Sequence, residues 1–206
     1  MSFVPTIARF LDLPALRKRD EGVQGFYIAA CGISPAWRGC VVGKSLDGGQ
    51  SWEALATVRT AAVMGRIIAT DTPPATTVYP DGAPIFSITV RTTHAGQQLE
   101  GHAKNTVDQG ANRLAISTAT GLEVVSFMHA QLIGLHTYRL SSITRECKST
   151  QRQTLAIGQA ITHLAPGSLA RVDMLNTQRG APALYRVASF GQVVDDEPVL
   201  GFEELC

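Results

Sequence analysis

The chain is dominated by short apolar runs that alternate with segments rich in Gly, Pro, Ser, Thr and Asp. Within one run, Phe86, Ile88 and Val90 alternate with Ser87 and Thr89, which is the period of a strand with one buried face. Repeated short runs of this kind predict an all-β fold of β-sandwich-like domains. We expect strands near residues 26–31, 38–45, 52–58, 61–69, 84–91, 99–102, 112–118, 122–128 and 131–145, and three weaker ones near 154, 170 and 184.

Three turn signals punctuate this pattern. Gly121 separates two apolar runs and predicts a hairpin, and Gly134 predicts a break in the long run at 131–145. Residues 71–77 contain Pro73 and Pro74, and two adjacent prolines cannot donate to a strand ladder. We therefore expect a connection at 71–77 rather than a strand.

The N-terminal segment differs from the rest. Ile7, Phe10, Leu11 and Leu13 recur near helical spacing until Pro14 interrupts them. This spacing predicts a short helix or an extended arm that lies on a neighbouring subunit. These four residues are the candidate anchors of that interface.

The amino-acid composition changes again after residue 145, where a polar stretch begins. We therefore expect an arm or short helix at 1–24, a main β domain at 25–148, and a smaller β domain at 149–206. The acidic residues after 193 predict an extended C-terminal tail.

One motif predicts a turn that its own side chains stabilise. Ser45, Asp47, Gly49 and Trp52 match S-x-D-x-G-x-x-W, which resembles the Asp-box of sialidases and related β proteins. Ser and Asp side chains can accept or donate hydrogen bonds within such a turn, and glycine permits positive φ. Trp52 is expected to cover the hairpin as an apolar lid. The motif predicts a structural hairpin, because sialidases carry several such boxes away from their active sites.

Composition and charge argue against nucleic-acid binding and bear on whether the protein is part of an assembly. The 18 basic and 17 acidic residues nearly cancel, and the basic run at 17–19 is followed at once by two acidic residues. Nucleic-acid binding by counterion release needs a clustered basic face, so we expect no nucleic-acid partner. The charged fraction of 17% is low, which favours a protein that hides surface in an assembly or a β domain rich in Thr, Ser and Gly.

Cysteine usage and the N-terminus bear on the compartment. Cys31 and Cys40 lie in apolar runs, where they are either buried thiols or partners across a hairpin. The first residues lack the features of a signal peptide, and no run approaches the ~20 apolar residues of a membrane span. We expect the protein to be made and kept in the cytoplasm until something larger carries it out.

No catalytic or metal-binding pattern emerges from the sequence. The five histidines, His94, His102, His129, His136 and His163, form no H-E-x-x-H or H-x-H pair, and no G-x-S-x-G elbow or complete phosphate-binding loop is present. We therefore predict a protein that is not an enzyme and that has no cofactor and no metal ion.

Several segments together resemble a known family. They are residues 8–16, 25–32, 37–40, 45–52, 110–112, 123–127, 137–145, 185–187 and 194–196. In order and spacing they are similar to the C-terminal part of the baseplate hub, or host-specificity, proteins of gene transfer agents and siphophages. The family's large proteins have hub domains ahead of this part, whereas this chain begins at Met1, so we expect a split gene or a separate polypeptide. The family's basic, glycine-containing segment reads here as Arg-Glu-Cys-Lys-Ser-Thr at 145–150.

This resemblance implies a structural component of the virion, at the tail tip. It implies docking to hub and fibre proteins, usually with threefold symmetry, and therefore a homotrimer in the assembled tip. No active site is implied. Two alternatives remain open: a carbohydrate-binding β module that contacts the host surface, and a wall-degrading glycosidase.

Overall fold

The computed structural model describes residues 3–71, 86–174, 182–192 and the backbone of 200–201. Thirteen strands account for most of these residues. They are β1 Thr6–Leu11, β2 Gly25–Gly32, β3 Cys40–Ser45, β4 Glu53–Val58, β5 Met64–Asp71, β6 Ser87–Thr92, β7 Arg113–Thr118, β8 Gly121–Gly134, β9 Thr137–Cys147, β10 Ala160–His163, β11 Leu169–Asp173, β12 Leu184–Ser189 and β13 Leu200–Gly201. The helices described are a 3-10 turn at Lys18–Asp20 and α1 at Lys104–Asp108. In the described part of the chain, no helix has the length and apolarity needed to cross a membrane.

The chain forms two compact units. Unit 1 comprises Met1–Ala62 and Pro166–Cys206, and unit 2 comprises Val63–Ala165. Unit 2 is therefore an insertion within the sequence of unit 1. The protein is all-β, as predicted, but its division differs from the expected boundaries at 24 and 148.

Unit 1 contains two antiparallel sheets. The first has the strand order β1-β2-β11, and the second has the order β13-β12-β3-β4. Both sheets contribute to one core, in which Phe10 and Phe26 stack at 5.3 Å between ring centroids. Tyr185 of β12 meets Phe10 edge-on at 4.8 Å. These three rings join the inner faces of the two sheets.

Unit 2 is a closed barrel of six strands in the order β10-β5-β6-β9-β8-β7. The short strand β10 closes it, because Ile161 pairs with Gly65 of β5 on one side and with Ile116 of β7 on the other. All six strands and Leu99 of the connection between β6 and α1 supply apolar side chains to a continuous core: Ile67, Ile88, Val90, Leu99, Leu114, Ile116, Val125, Phe127, Tyr138, Leu140 and Ile161. Closure leaves the barrel without open sheet edges along its ladder.

A buried ion pair joins Glu123 of β8 to Arg145 near the end of β9, and the connection after β9 contacts the same carboxylate. Arg145 Nε and Nη2 each donate to a separate oxygen of the Glu123 carboxylate, both at 2.6 Å. The backbone N–H groups of Gln153 and Glu146 also donate to that carboxylate, at 2.7 and 3.2 Å. Burial alone would raise the pKa of Glu123, which is fully buried, but these hydrogen bonds outweigh it and hold the pKa below its ordinary value.

The end of β9 and the connection after it have an unusual backbone. Glu146, Lys148 and Ser149 all adopt φ of 58°, in the left-handed region that favours glycine. The bonds to Glu123, and the bond from Thr150 Oγ1 to the Cys147 carbonyl at 2.8 Å, hold these residues in place.

The predicted N-terminal helix is wrong. Residues 6–11 form β1, and every one of them pairs with β2, from Thr6 with Gly32 to Leu11 with Tyr27. Pairing along a full strand outweighs the weak helical preference of six residues. The extended alternative matches the backbone, but the segment lies on its own chain.

Most other strand predictions are confirmed, with limited shifts. The hairpin at Gly121 and the break after Gly134 are both present. No strand forms at 99–102, and the strand expected near 154 lies at Ala160–His163. The predicted connection at 71–77 lies, after Asp71, outside the described residues, as does most of the predicted tail. Cys31 and Cys40 are fully buried thiols.

The predicted domains at 25–148 and 149–206 do not match the two units. β10, which follows residue 149, belongs to the barrel because it bridges β5 and β7. β11 and β12 belong to unit 1 because they pair with β2 and β3. These long-range pairings, rather than the polar stretch after 145, decide the division.

The Glu123–Arg145 pair yields a stability prediction. Arg145→Met leaves a buried carboxylate without its cation, and we expect it to reduce the free energy of unfolding by about 3–5 kcal/mol. Urea denaturation at neutral pH measures this. Lys104→Met, which breaks an exposed ion pair with Asp108, is the matched control and should have a much smaller effect. Equal effects of the two substitutions would contradict the assigned role of Arg145.

Candidate functional site

The turn at 45–52 connects β3 to β4 and is closed by side-chain hydrogen bonds. Ser45 Oγ donates to Asp47 Oδ1 at 2.7 Å and accepts a bond from the Gly49 N–H at 2.8 Å. The Ser51 N–H and hydroxyl donate to the two oxygens of Asp47, at 2.9 and 2.5 Å. The bonds from Ser51, and then that from Ser45, hold the pKa of Asp47 far below its ordinary value. The turn therefore keeps an ionised carboxylate as its internal acceptor.

Trp52 completes this turn, and its ring is engaged within unit 1. Its indole N–H donates to the Gly49 carbonyl at 3.1 Å. The Arg186 guanidinium of β12 lies 4.4 Å from the ring centroid, a cation–π contact. Because these contacts use the indole N–H and one ring face, Trp52 serves as a lid on the hairpin. Beside it, Leu46 is half-exposed.

The structure places the four candidate anchors of the N-terminal segment inside unit 1. Phe10, Leu11 and Leu13 are buried, and Ile7 is partly buried in β1. Phe10 packs on the rings of Phe26 and Tyr185, so it stabilises the core of its own unit. The predicted interface at these three buried residues is therefore corrected: they face the interior of their own chain.

All five histidines lie in unit 2, where His102 is close to His163 and His136 is close to His94. Among the described residues, no group of three or more His, Cys, Asp or Glu side chains could hold a metal ion. His163 of β10 lies 6.4 Å from the Phe127 ring, between ring centroids. Burial, and secondarily the nearby His102, lowers the pKa of His163 to about 4. His94 also has a lowered pKa, because of burial and then of His136.

An exposed apolar surface lies at the turn between β8 and β9. We call Leu132, Ile133 and Leu135 the apolar tip, and their exposed fractions are 62%, 50% and 78%. Leu132 pairs with Tyr138, a core residue, so the tip continues the inner face of the barrel past its end. Sequence reasoning missed this surface, although the segment at 130–135, Ala-Gln-Leu-Ile-Gly-Leu, is uncharged and spans the predicted break.

The apolar tip is fixed to the barrel through His136. This residue has φ of 39°, and its Nδ1 lies 2.6 Å from the Thr92 carbonyl oxygen. The Thr92 N–H donates to the His136 carbonyl at 2.9 Å. These contacts hold the turn against the end of β6, so the three aliphatic side chains are presented on an anchored hairpin.

The turn at 45–52 gives a second prediction. Gly49 has φ of +94°, so Gly49→Ala should reduce the free energy of unfolding by about 1–2 kcal/mol. Thermal and urea denaturation measure the change. Gly167→Ala is the control, because Gly167 lies outside the positive-φ region and a Cβ there meets no atom within 4 Å. An effect at Gly49 no larger than at Gly167 would show that the backbone conformation of the turn is assigned incorrectly.

His163 gives a third prediction, on pH. Its folded-state pKa of about 4 lies below the value of about 6.5 expected in the unfolded chain, so the unfolded state binds more protons between these values. Stability should fall as pH decreases from about 6.5 to 4, by at most about 3 kcal/mol from this group. His163→Gln should flatten the unfolding free energy over this interval, and the control His129→Gln should not. Parallel pH profiles for both variants would refute this assignment.

Comparisons with known proteins agree with the division into units. No curated protein matches the chain. The model of one family, described as Rcc01698-like, C-terminal, matches residues 62–162, which is nearly the whole of unit 2. The barrel unit is thus similar to the C-terminal part of Rcc01698-like proteins, a family associated with gene transfer agents and phages.

Proposed function

We propose that this chain is a non-catalytic structural component of the tail tip, or baseplate, of a phage or gene transfer agent, where it docks to hub and fibre proteins. The observation that carries the proposal is the family match over the barrel unit, residues 62–162. The resembling segments at 8–16, 25–32, 37–40 and 185–187 lie in unit 1, and they support an extension of the likeness to that unit.

The docking surface that we assign is the outer edge of β4. β4 is the last strand of the four-stranded sheet, and within the described residues it pairs only with β3. Glu53, the first residue of β4, is charged, but residues 54–58 carry no charge, whereas sheet edges are usually protected by charged side chains or proline. An extended segment of a neighbouring tail protein can add to such an edge through main-chain hydrogen bonds.

In this proposal the protein is part of the virion and forms a homotrimer in the assembled tip. Assembly takes place in the cytoplasm of the bacterial host. The carbohydrate-binding alternative gains no support from Trp52, because Arg186 stacks on its ring and the Gly49 carbonyl accepts a hydrogen bond from its indole N–H. We therefore favour docking to proteins.

Lysine substitutions on β4 test the docking role. Ala54 and Thr57 are exposed, and Ala54→Lys with Thr57→Lys should reduce incorporation into particles at least ten-fold, because charged side chains oppose edge pairing. Quantitative immunoblotting of purified particles measures incorporation. Thermal denaturation of the isolated protein establishes that the variant folds.

The matched control adds the same charge elsewhere. Gln98 and Gln151 are exposed positions outside any strand, and Gln98→Lys with Gln151→Lys should leave incorporation unchanged. If the β4 variant is incorporated as well as this control, the β4 edge is not the docking surface. If the wild-type chain is absent from particles altogether, the structural role itself is wrong.

A further inference from the structure

We infer that one end of the barrel binds the surface of an anionic lipid bilayer, with the apolar tip entering the bilayer and two arginines contacting lipid phosphates. This activity goes beyond the proposed structural role, and it concerns unit 2 alone. It is carried by the juxtaposition of the apolar tip with Arg66 of β5 and Arg91 of β6, which we call the arginine pair.

The arginine pair is a juxtaposition of like charges. Arg66 and Arg91 are directly opposite in the β5–β6 ladder, and both are exposed. Like charges at opposed positions of neighbouring strands destabilise a sheet. Neither arginine forms an ion pair with a carboxylate in the described part of the chain. By contrast, Arg139 on the adjacent strand binds Asp71 at 2.5 Å. Two guanidinium groups with no such carboxylate suit an external phosphate, which arginine recognises well.

Register places the arginine pair at the same end of the barrel as the apolar tip. Arg66 pairs with Arg91, Arg91 pairs with Thr137, and Thr137 pairs with Gly134, across four successive strands. Neighbouring strands lie about 4.8 Å apart, so Arg91 lies about 10 Å from Gly134. The residues of the apolar tip flank Gly134 on both sides along the chain.

These dimensions match a bilayer surface. Peripheral proteins bury apolar side chains about 5–10 Å into the boundary between headgroups and acyl chains. The separation of about 10 Å runs across the strands, so Arg66 and Arg91 lie beside the tip, where their long side chains can contact the phosphates around an inserted tip. The segment at 130–135 carries no charge, so its insertion would desolvate no ionised side chain.

The chemistry of the tip favours lipid over a protein partner. Its exposed apolar side chains are all aliphatic, whereas the residues that dominate binding energy at protein interfaces are mainly Trp, Tyr and Arg. Aliphatic side chains partition well into hydrocarbon, and an anionic leaflet attracts each nearby arginine with an energy equivalent to about a five-fold gain in binding. Insertion of the aliphatic side chains and attraction of the two arginines together favour an anionic membrane surface.

Vesicle binding by the purified full-length chain tests the inference. We expect co-sedimentation with vesicles of phosphatidylglycerol and phosphatidylethanolamine, and much weaker binding to phosphatidylcholine vesicles. Arg66→Gln with Arg91→Gln should weaken binding to the anionic vesicles about 20-fold. Arg38→Gln with Arg152→Gln removes the same charge from exposed positions elsewhere and should change binding less than three-fold.

The apolar tip is tested in the same assay. Leu132→Ser with Leu135→Ser should lower binding at least ten-fold, and Leu46→Ser, at a half-exposed leucine of unit 1, should not. The single variant Leu135→Trp supplies an optical readout, because the emission of the introduced indole should shift to the blue on addition of anionic vesicles. Thermal denaturation establishes that each variant is folded.

Three results would overturn the inference: equal binding of the wild-type chain to anionic and zwitterionic vesicles, equal binding by the arginine-pair variant and its charge control, or an emission spectrum that anionic vesicles leave unchanged. If the leucine variants alter self-association but not vesicle binding, the tip is a protein contact and the inference fails. Because incorporation into particles is measured separately, failure here leaves the proposed structural role intact.

Discussion

The architecture of unit 2 depends on the pairing of β10 with two strands at once. Residues 160–163 form ladders with both β5 and β7, and these ladders convert the six strands into a closed barrel. Closure satisfies the backbone groups at the two sheet edges that would otherwise be open. It also explains the sequence organisation, since the chain leaves unit 1 before β5 and returns to it after β10.

The closed barrel then determines which side chains stay exposed. β8 and β9 are longer than the other strands and run past the end of the core, so Leu132 lies opposite Tyr138 yet remains largely exposed. The end of β9 and the connection after it lie against Glu123, whose buried carboxylate accepts hydrogen bonds from Arg145, Glu146 and Gln153. Together these features give a stable barrel with one apolar end.

Local sequence patterns predicted the strands but not their partners. The alternation around Ile88 and Val90 identified β6, and Gly121 identified the β7–β8 hairpin, because both signals depend on neighbouring residues alone. The pairing of β10 with β5 joins residues about 95 positions apart, and no local pattern encodes it. For the same reason, the N-terminal segment was interpreted as a short helix or an extended arm on a neighbour, although residues 6–11 pair with β2 of their own chain.

The candidate sites also differ in whether local sequence or long-range pairing reveals them. The hydrogen bonds of the turn at 45–52 involve residues at most four positions apart, and the motif implied them directly. The apolar tip required knowledge of where the barrel core ends. The arginine pair could be identified only from the β5–β6 register, because nothing in the sequence shows that Arg66 and Arg91 lie opposite each other.

We propose that this chain is a building block of a phage-like tail tip, where its sheets dock to neighbouring subunits. The most direct measurement is an electron cryo-microscopy reconstruction of the native particle, into which units 1 and 2 are fitted separately. The account predicts density for both units at the tail tip, in three copies or a multiple of three, with each copy in contact with the hub. Particles with complete tips and no density for the barrel would contradict it.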